Sequence, residues 1–114
     1  MRPEDVFVAI AVLSIVVGLP MADRRIPPNR WYGVRVRATF ADEHIWYEVN
    51  AQAGRELALL GLLCLGLALV LRVTLSRAPY AAVMGLVFGA GSLLCVVRSL
   101  KLASRLWRER HGGE

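Results

Sequence analysis

The chain has 114 residues, of which 56% are hydrophobic and 20% charged, and its formal net charge is +5. This length fits a single domain, and the apolar share exceeds the roughly 45–50% of a typical soluble domain. The composition excludes an intrinsically disordered chain, because such chains lack the apolar residues that build a core. A basic, apolar globule and a membrane protein both remain, so the placement of the charges has to decide between them.

Three segments of the chain contain no Asp, Glu, Lys or Arg: 17 residues from Val6 to Ala22, 15 from Leu57 to Leu71, and 20 from Ala78 to Val97. About 20 helical residues cross a hydrocarbon layer of roughly 30 Å. The first segment reaches that length with an interfacial start at Pro3–Asp5, and the second does so if Arg72 extends to the headgroups. We therefore predict an all-α integral membrane protein, one domain over residues 1–114, with spans at about 4–22, 55–76 and 79–99.

Two other interpretations fit the apolar segments less well. A secretory signal peptide has a basic start and a small-residue cleavage site, whereas this chain begins Met1-Arg2-Pro3-Glu4-Asp5 and its first run ends Gly18-Leu19-Pro20-Met21. Helices of a soluble bundle carry polar residues on one face, whereas these segments are apolar all round.

The basic residues predict an orientation in the membrane. With three spans, the N-terminus and the second loop share one side, and the first loop and the C-terminal tail share the other. The first side holds three cations, Arg2, Arg72 and Arg77. The second side holds eleven: Arg24, Arg25, Arg30, Arg35, Arg37, Arg55, Arg98, Lys101, Arg105, Arg108 and Arg110. We expect a bacterial inner-membrane protein whose N-terminus is outside and whose first loop and tail are cytoplasmic.

Small residues in the third span predict close helix packing. Ala81, Gly85 and Gly89 follow one another at four-residue spacing, which lets two helix backbones approach. The partner is either a second copy of the chain or the second span, whose small residues are Ala58, Gly61, Gly66 and Ala68. The two cysteines, Cys64 and Cys95, lie inside spans without metal-ligand spacing, so we interpret them as small apolar residues.

The tail, residues 98–114, continues the third helix or follows a short break. Its cations Arg98, Lys101, Arg105 and Arg108 recur every three or four residues as one basic stripe, and Leu100, Ala103, Leu106 and Trp107 lie towards the opposite side. Such a helix typically lies in the membrane interface with its cations on anionic headgroups. Nucleic-acid binding is the rival interpretation of a basic stripe, and the adjacent span makes it the weaker one.

The first loop, residues 23–54, is too long and too chemically dense for a simple connector. Pro27 and Pro28 exclude a helix, Asn29 suits a side-chain turn, and Gly33 suits a positive φ. The segment Val34–Arg37 alternates apolar and basic residues, which is typical of a short strand or an extended stretch.

A helix is expected to start next, with Thr39 as its N-cap and Asp42 three residues later. It then runs straight into the second span or bends at Gly54. Asn50 lies on its apolar stripe and needs a hydrogen-bond partner, for which Arg35 and a backbone group of the turn Pro28–Gly33 are the candidates.

These residues resemble the signature of the SdpI family, which is named for immunity to a sporulation-delaying peptide toxin. The family pattern is approximately P-x-N-x-x-Y/F-G-hydrophobic-R, then Thr or Ser, then W-x-x-x-N. Here it reads Pro27, Asn29, Tyr32, Gly33, Val34, Arg35, Thr39, Trp46 and Asn50, with Gly54 beyond. The family often has Thr directly after the arginine, where this chain has Val36. The resemblance implies a bacterial membrane protein that protects against, or senses, a membrane-acting peptide toxin.

The signature residues are our candidates for binding a partner or for holding the loop: Asn29, Tyr32, Gly33, Arg35, Thr39, Trp46 and Asn50. Expected partners are anionic lipid, a peptide toxin, a cytosolic regulator and a second copy, with no cofactor. His44 and Glu48 lie four apart on a helix, but no third ligand or catalytic group accompanies them, so we expect neither a metal site nor an enzyme. The alternative function is an accessory or scaffold subunit of a membrane complex. Transport ranks last, because we place no acidic residue within a span to carry a proton or cation.

Overall fold

The part of the chain that the structure describes forms four helices: α1 (Pro3–Ala22), α2 (Arg37–Ala41), α3 (Glu43–Thr74) and α4 (Arg77–His111). The computed structural model describes residues 3–74 and 76–112, without the side chains of Pro3, Glu4 and Arg77, and this described part contains no strand. Three of its helices, α1, α3 and α4, are long and apolar enough to cross a membrane. The prediction of an all-α protein with three candidate spans is thereby confirmed.

The second and third long helices extend well beyond the predicted spans. α3 begins at Glu43, runs for 32 residues and passes Gly54 without a break, while α4 runs for 35 residues to His111. At 1.5 Å per residue these helices are about 48 and 52 Å long, compared with a hydrocarbon layer of roughly 30 Å. Both helices are longer than such a layer is thick and project beyond the end of α1, and the molecule measures 57 × 24 × 19 Å.

α1 and α3 cross through small residues that bring their backbones together. A Cβ added at Gly18 would lie 2.6 Å from the Gly54 carbonyl oxygen, and one added at Gly61 would lie 2.7 Å from that of Ala11. Side chains at these positions would force the helices apart. Ala58 and Gly61 of the second span thus meet the first span, in which the sequence had identified no small-residue face, whereas Gly66 has no such contact among the described residues.

The small residues of the third span do not pack within the chain as predicted. In the described part of the structure, no heavy atom lies within 4 Å of a Cβ placed at Gly85 or Gly89. α4 instead contacts its neighbours on other faces, through the buried Tyr80 and Met84 and through Gly91, which lies against Leu60. Packing of Gly85 and Gly89 on α3 is therefore wrong, and packing on a second copy stays a prediction.

Two apolar clusters hold the helices together. Ala11, Cys64, Ala68, Tyr80 and Met84 form the cluster within the spans. The second cluster lies at the projecting end and joins Ile45 and Val49 of α3 to Leu102 and Ala103 of α4. Val34, Val36, Ala38 and Leu106 pack around it.

This second cluster bears on the prediction for the tail. α4 continues without a break, which is one of the two alternatives for the tail, and its Leu102 and Ala103 face α3 rather than lipid. Contact of the basic stripe with anionic headgroups stays a prediction. Burial against Ile45 and Val49 removes Leu102 and Ala103 from water as effectively as lipid would. Leu100 and Trp107 lie outside this contact and are 43% and 38% exposed.

Candidate functional site

The loop between α1 and α3, residues 23–42, starts with a turn organised by Asn29. The Asn29 Oδ1 atom accepts hydrogen bonds from the backbone N–H groups of Trp31 and Tyr32, at 2.8 and 2.7 Å. Its amide nitrogen donates to the Pro27 carbonyl at 2.8 Å. One side chain thus closes the turn in both directions, as expected for asparagine after a proline pair.

Tyr32 attaches this turn to the first helix. Its hydroxyl donates a hydrogen bond to the carbonyl oxygen of Val17 in α1. Partial burial raises the pKa of Tyr32 above its ordinary value, so the hydroxyl stays a donor at neutral pH. The neighbouring Trp31 points away from the fold and is 87% exposed.

Gly33 and Asn50 make the closest approach between the loop and α3. Gly33 has φ +108°, and a Cβ there would lie 2.6 Å from the Asn50 Oδ1 atom. That oxygen accepts a hydrogen bond from the Val34 N–H, while the Asn50 amide donates to the carbonyl of Trp46 at 3.0 Å. The partner of Asn50 is therefore Val34, one residue beyond the predicted turn, and the alternative partner Arg35 was wrong.

Trp46 fixes the first residues of the loop to α3. Its side chain is fully buried, and its Nε1 donates to the carbonyl of Ile26 at 2.8 Å. The ring packs against Phe40 with centroids 5.7 Å apart. Trp46 and Asn50 lie one turn apart on α3, so one face of this helix fixes both the start and the middle of the loop.

The N-cap role that the sequence assigned to Thr39 belongs to Asp42, while Thr39 lies inside α2. Thr39 is not an N-cap, because α2 begins two residues earlier, at Arg37, after an extended Val36. The buried Thr39 hydroxyl accepts from the Val36 N–H and lies 2.9 Å from the Val34 carbonyl, to which it donates. Asp42 follows α2 and accepts from the His44 N–H at 2.9 Å, so it caps α3 instead. The segment from Val34 to Val36 is extended but forms no strand.

Asp42 also binds the far end of α4. Its Oδ2 atom lies 2.7 Å from Nε of Arg110 and 2.7 Å from Nε2 of His111, whose ring stacks on Trp107. The hydrogen bond from Arg110 holds the pKa of Asp42 well below its usual range, with a smaller contribution from His111. Sequence reasoning missed this contact, because its partners are 68 and 69 residues apart and no local pattern connects them.

Arg35 is a member of the signature that lies on the surface and forms no ion pair with any residue that the structure describes. Its guanidinium donates to the carbonyl of Arg30, and both side chains are exposed. Glu48, which the sequence paired with His44, instead forms an ion pair with Arg24 at 2.7 Å. Among the described residues, no group of three His, Cys, Asp or Glu side chains is placed to hold a metal ion.

A second polar contact joins α3 and α4 at the same end of both charge-free runs. Glu56, the residue before Leu57, lies 2.5 Å from Arg98, the residue after Val97. The Glu56 Oε2 atom and the Ser99 hydroxyl are buried without hydrogen-bond partners among the described residues. Glu56 falls inside the predicted span 55–76, as Glu4 and Asp5 fall inside 4–22, so the statement that no acidic residue lies within a span is wrong. The remaining cations of the basic stripe, Lys101, Arg105 and Arg108, are exposed.

Most signature side chains therefore form hydrogen bonds with the backbone of this chain. The same region of the sequence is the one that resembles a known family. No curated protein and no solved structure matches the chain significantly. The sequence profile of the SdpI/YfhL protein family matches residues 25–100, which include all but the first two residues of the loop, α2, α3 and the whole third span. Because this match covers well over half of the chain, the protein belongs to the SdpI/YfhL family.

Proposed function

We propose that this protein protects a bacterial cell against a membrane-acting peptide toxin or senses such a peptide. The family supports a multi-pass membrane protein of the toxin-immunity kind. The observation that carries the proposal is the 87% exposure of Trp31. This side chain extends from the hydrogen-bonded Asn29 turn, beside the exposed cations Arg30 and Arg35. Tryptophan and arginine are the residue types that dominate binding hot spots.

In this proposal the signature residues divide into two groups. Asn29, Tyr32, Trp46 and Asn50 hold the loop, because each already bonds to the backbone of this chain. Recognition then falls to the exposed neighbours, Trp31 and Arg35. An extended or helical peptide lying along the end of α1 in the headgroup region would meet these side chains first.

The test is survival of a toxin-sensitive bacterium that expresses the protein at a verified membrane level. The wild-type chain is expected to reduce killing by related peptide toxins, Trp31→Ala to abolish that protection without loss of folded protein, and Asn50→Ala to abolish it by releasing the loop. Val73→Ala is the matched control, since Val73 is 81% exposed but lies at the opposite end of α3. Unchanged killing with the wild-type chain would count decisively against immunity.

We further propose that the N-terminus lies outside and that the loop and tail face the cytoplasm, because eleven of the 14 basic residues belong to that end. A cysteine at exposed Ser104 should resist a membrane-impermeant thiol reagent in intact cells, and one at Val73 should react. Thr39 is unsuitable for labelling because it is fully buried. The reverse labelling pattern would overturn this orientation.

The alternative function, an accessory subunit of a membrane complex, is favoured by one observation. The face of α4 that carries Gly85 and Gly89 meets nothing in the described part of the chain, and the adjacent Leu86 is 74% exposed. Purification in mild detergent should then yield a second polypeptide in fixed proportion. A free monomer or a self-oligomer alone would argue against it.

A further inference from the structure

The basic face of α4, formed by Arg98, Lys101 and Arg105, stands upright on the membrane. Leu102 and Ala103, which follow Lys101 directly, pack on α3 beside the basic face, so the helix is held along the long axis of the molecule. The charge-free run of the third span ends at Val97, and the basic face begins at the next residue. Its cations therefore rise about 10 Å from the membrane boundary, at 1.5 Å per residue.

A groove of about 540 Å³ lies along this face, and Gln52 of α3 completes its lining. Arg98 is neutralised by Glu56, whereas the contact between Arg105 and Glu109 is 3.8 Å long and exposed at both ends. A surface ion pair of that kind contributes little. Lys101 and Arg108 form no ion pair within the described residues, so the groove keeps three available cations, Lys101, Arg105 and Arg108, at successive helical turns. Lys101 and Arg105 are the two that lie nearer the end of the charge-free run at Val97.

Directly below the groove, the same side of α4 is apolar and open. Leu94 and Val97 precede Lys101 by seven and four residues, which places all three on one face of the helix, and they are 60% and 38% exposed. A ligand seated here would have phosphates against the cations and hydrocarbon against Leu94 and Val97. Only an amphiphile satisfies both parts of this surface.

We infer that this groove is a binding site for an anionic phospholipid whose headgroup carries two phosphates. Lys101 and Arg105 each face one phosphate, and the Gln52 amide supplies a neutral donor between the helices. Basic pockets at the ends of membrane helices recognise such headgroups, with about 1 kcal/mol contributed by each cation near the surface. The site lies on α4, away from Trp31 and Arg35, and is independent of toxin recognition.

The experiment titrates the purified full-length protein in detergent with defined lipids and counts bound lipid by native mass spectrometry. The lipids are cardiolipin with two phosphates, phosphatidylglycerol with one, and neutral phosphatidylcholine, compared at equal phosphate concentration. We expect cardiolipin to bind most tightly. Inorganic pyrophosphate serves as the soluble source of the same chemistry and should bind far more weakly, because it cannot contact Leu94 and Val97.

The variants distinguish binding at this groove from non-specific attraction between a basic protein and an anionic lipid. Lys101→Gln with Arg105→Gln should weaken cardiolipin binding roughly 30-fold, which corresponds to about 2 kcal/mol for two cations. The charge-matched control, Arg30→Gln with Arg37→Gln, should leave the affinity unchanged, and the charge-preserving exchange Lys101→Arg with Arg105→Lys should retain binding. Circular dichroism checks that the helical content is unchanged.

Four results would overturn the inference: equal affinity for phosphatidylcholine, equal affinity for phosphatidylglycerol, an affinity for pyrophosphate that matches the lipid, or the same loss of binding in both Gln pairs. The first and last would show that no specific headgroup site exists. The second would remove the two-phosphate specificity, and the third would assign the groove to a soluble anion.

Discussion

Replacing Gly54 with alanine tests the close crossing of α1 and α3 on which the fold depends. The added Cβ would lie 2.5 Å from the backbone nitrogen of Ala22 and 2.5 Å from the carbonyl oxygen of Gly18. Ordinary contacts between non-bonded carbon atoms are about 3.5–4.0 Å, so each of these distances is short by roughly 1 Å. Both opposing atoms belong to the backbone and cannot rotate away, so α1 has to move as a unit.

The expected cost follows from two opposing terms. Overpacking of this kind destabilises a protein by about 1–3 kcal/mol, and contacts against backbone place Gly54→Ala at the upper end. Alanine is about 1 kcal/mol better than glycine inside a helix, which offsets part of the loss. We therefore expect a net loss of about 2 kcal/mol in the free energy of unfolding.

Gly66→Ala is the matched control, because Gly66 lies in the same helix and a Cβ there would meet nothing within 4 Å. This variant changes only the helix propensity of the residue, so it should be as stable as the wild type or more stable by up to about 1 kcal/mol. Unfolding in mixed micelles of increasing denaturing-detergent fraction, followed by circular dichroism, measures both variants on one scale. If Gly54→Ala proved as stable as Gly66→Ala, the close α1–α3 crossing would be refuted.

Three further predictions concern the loop and its contact with α4. Asn50→Ala leaves the buried N–H of Val34 without its acceptor and should cost about 1–3 kcal/mol, with faster hydrogen exchange at that amide as the local signature; unchanged exchange would disprove the contact. Tyr32→Phe removes one hydrogen bond to α1 and should cost about 1 kcal/mol in the same unfolding assay, and a larger loss than for Asn50→Ala would contradict this ranking. The lowered pKa of Asp42 means that its stabilisation is complete above the ordinary carboxyl value of about 4 and is lost only as the pH falls through the lower folded value. In a His111→Gln background, which removes the titrating imidazole beside Asp42, the stability difference between chains with and without Asp42→Asn should therefore stay constant between pH 5 and pH 8. Asp42→Asn keeps the N-cap but not the ion pair with Arg110, and a slope in that range would refute the assignment.

The features that could be predicted from sequence are those governed by composition or by neighbouring residues. Candidate spans follow from charge-free length, and the Asn29 turn and the positive φ of Gly33 follow from the chemistry of single residues next to a proline pair. None of these depends on which distant segment lies nearby.

The features that were missed depend on tertiary contacts. Thr39 and Asp42 are both acceptable N-caps by local rules, and the packing of Val34 and Val36 on α3 decides that Asp42 takes this role. Similarly, an apolar helix side such as that of Leu102 and Ala103 fits lipid and protein equally well. Only the position of α3 beside α4 distinguishes the two.

In the loop, the side chains that define the family differ from those that would recognise a partner. Asn29, Thr39 and Asn50 already make hydrogen bonds to the loop backbone, so a partner that contacted those atoms would have to break them first. Breaking a buried hydrogen bond without replacement costs more than the bond contributes, which makes these residues poor recognition groups. Chains that share this signature would then share the shape of the loop, while their specificity would vary with exposed positions outside the pattern, such as Trp31. Exchanging the residue at position 31 between family members should transfer toxin specificity, whereas replacing Trp46 or Asn50 should lower stability and protection without changing which toxin is recognised.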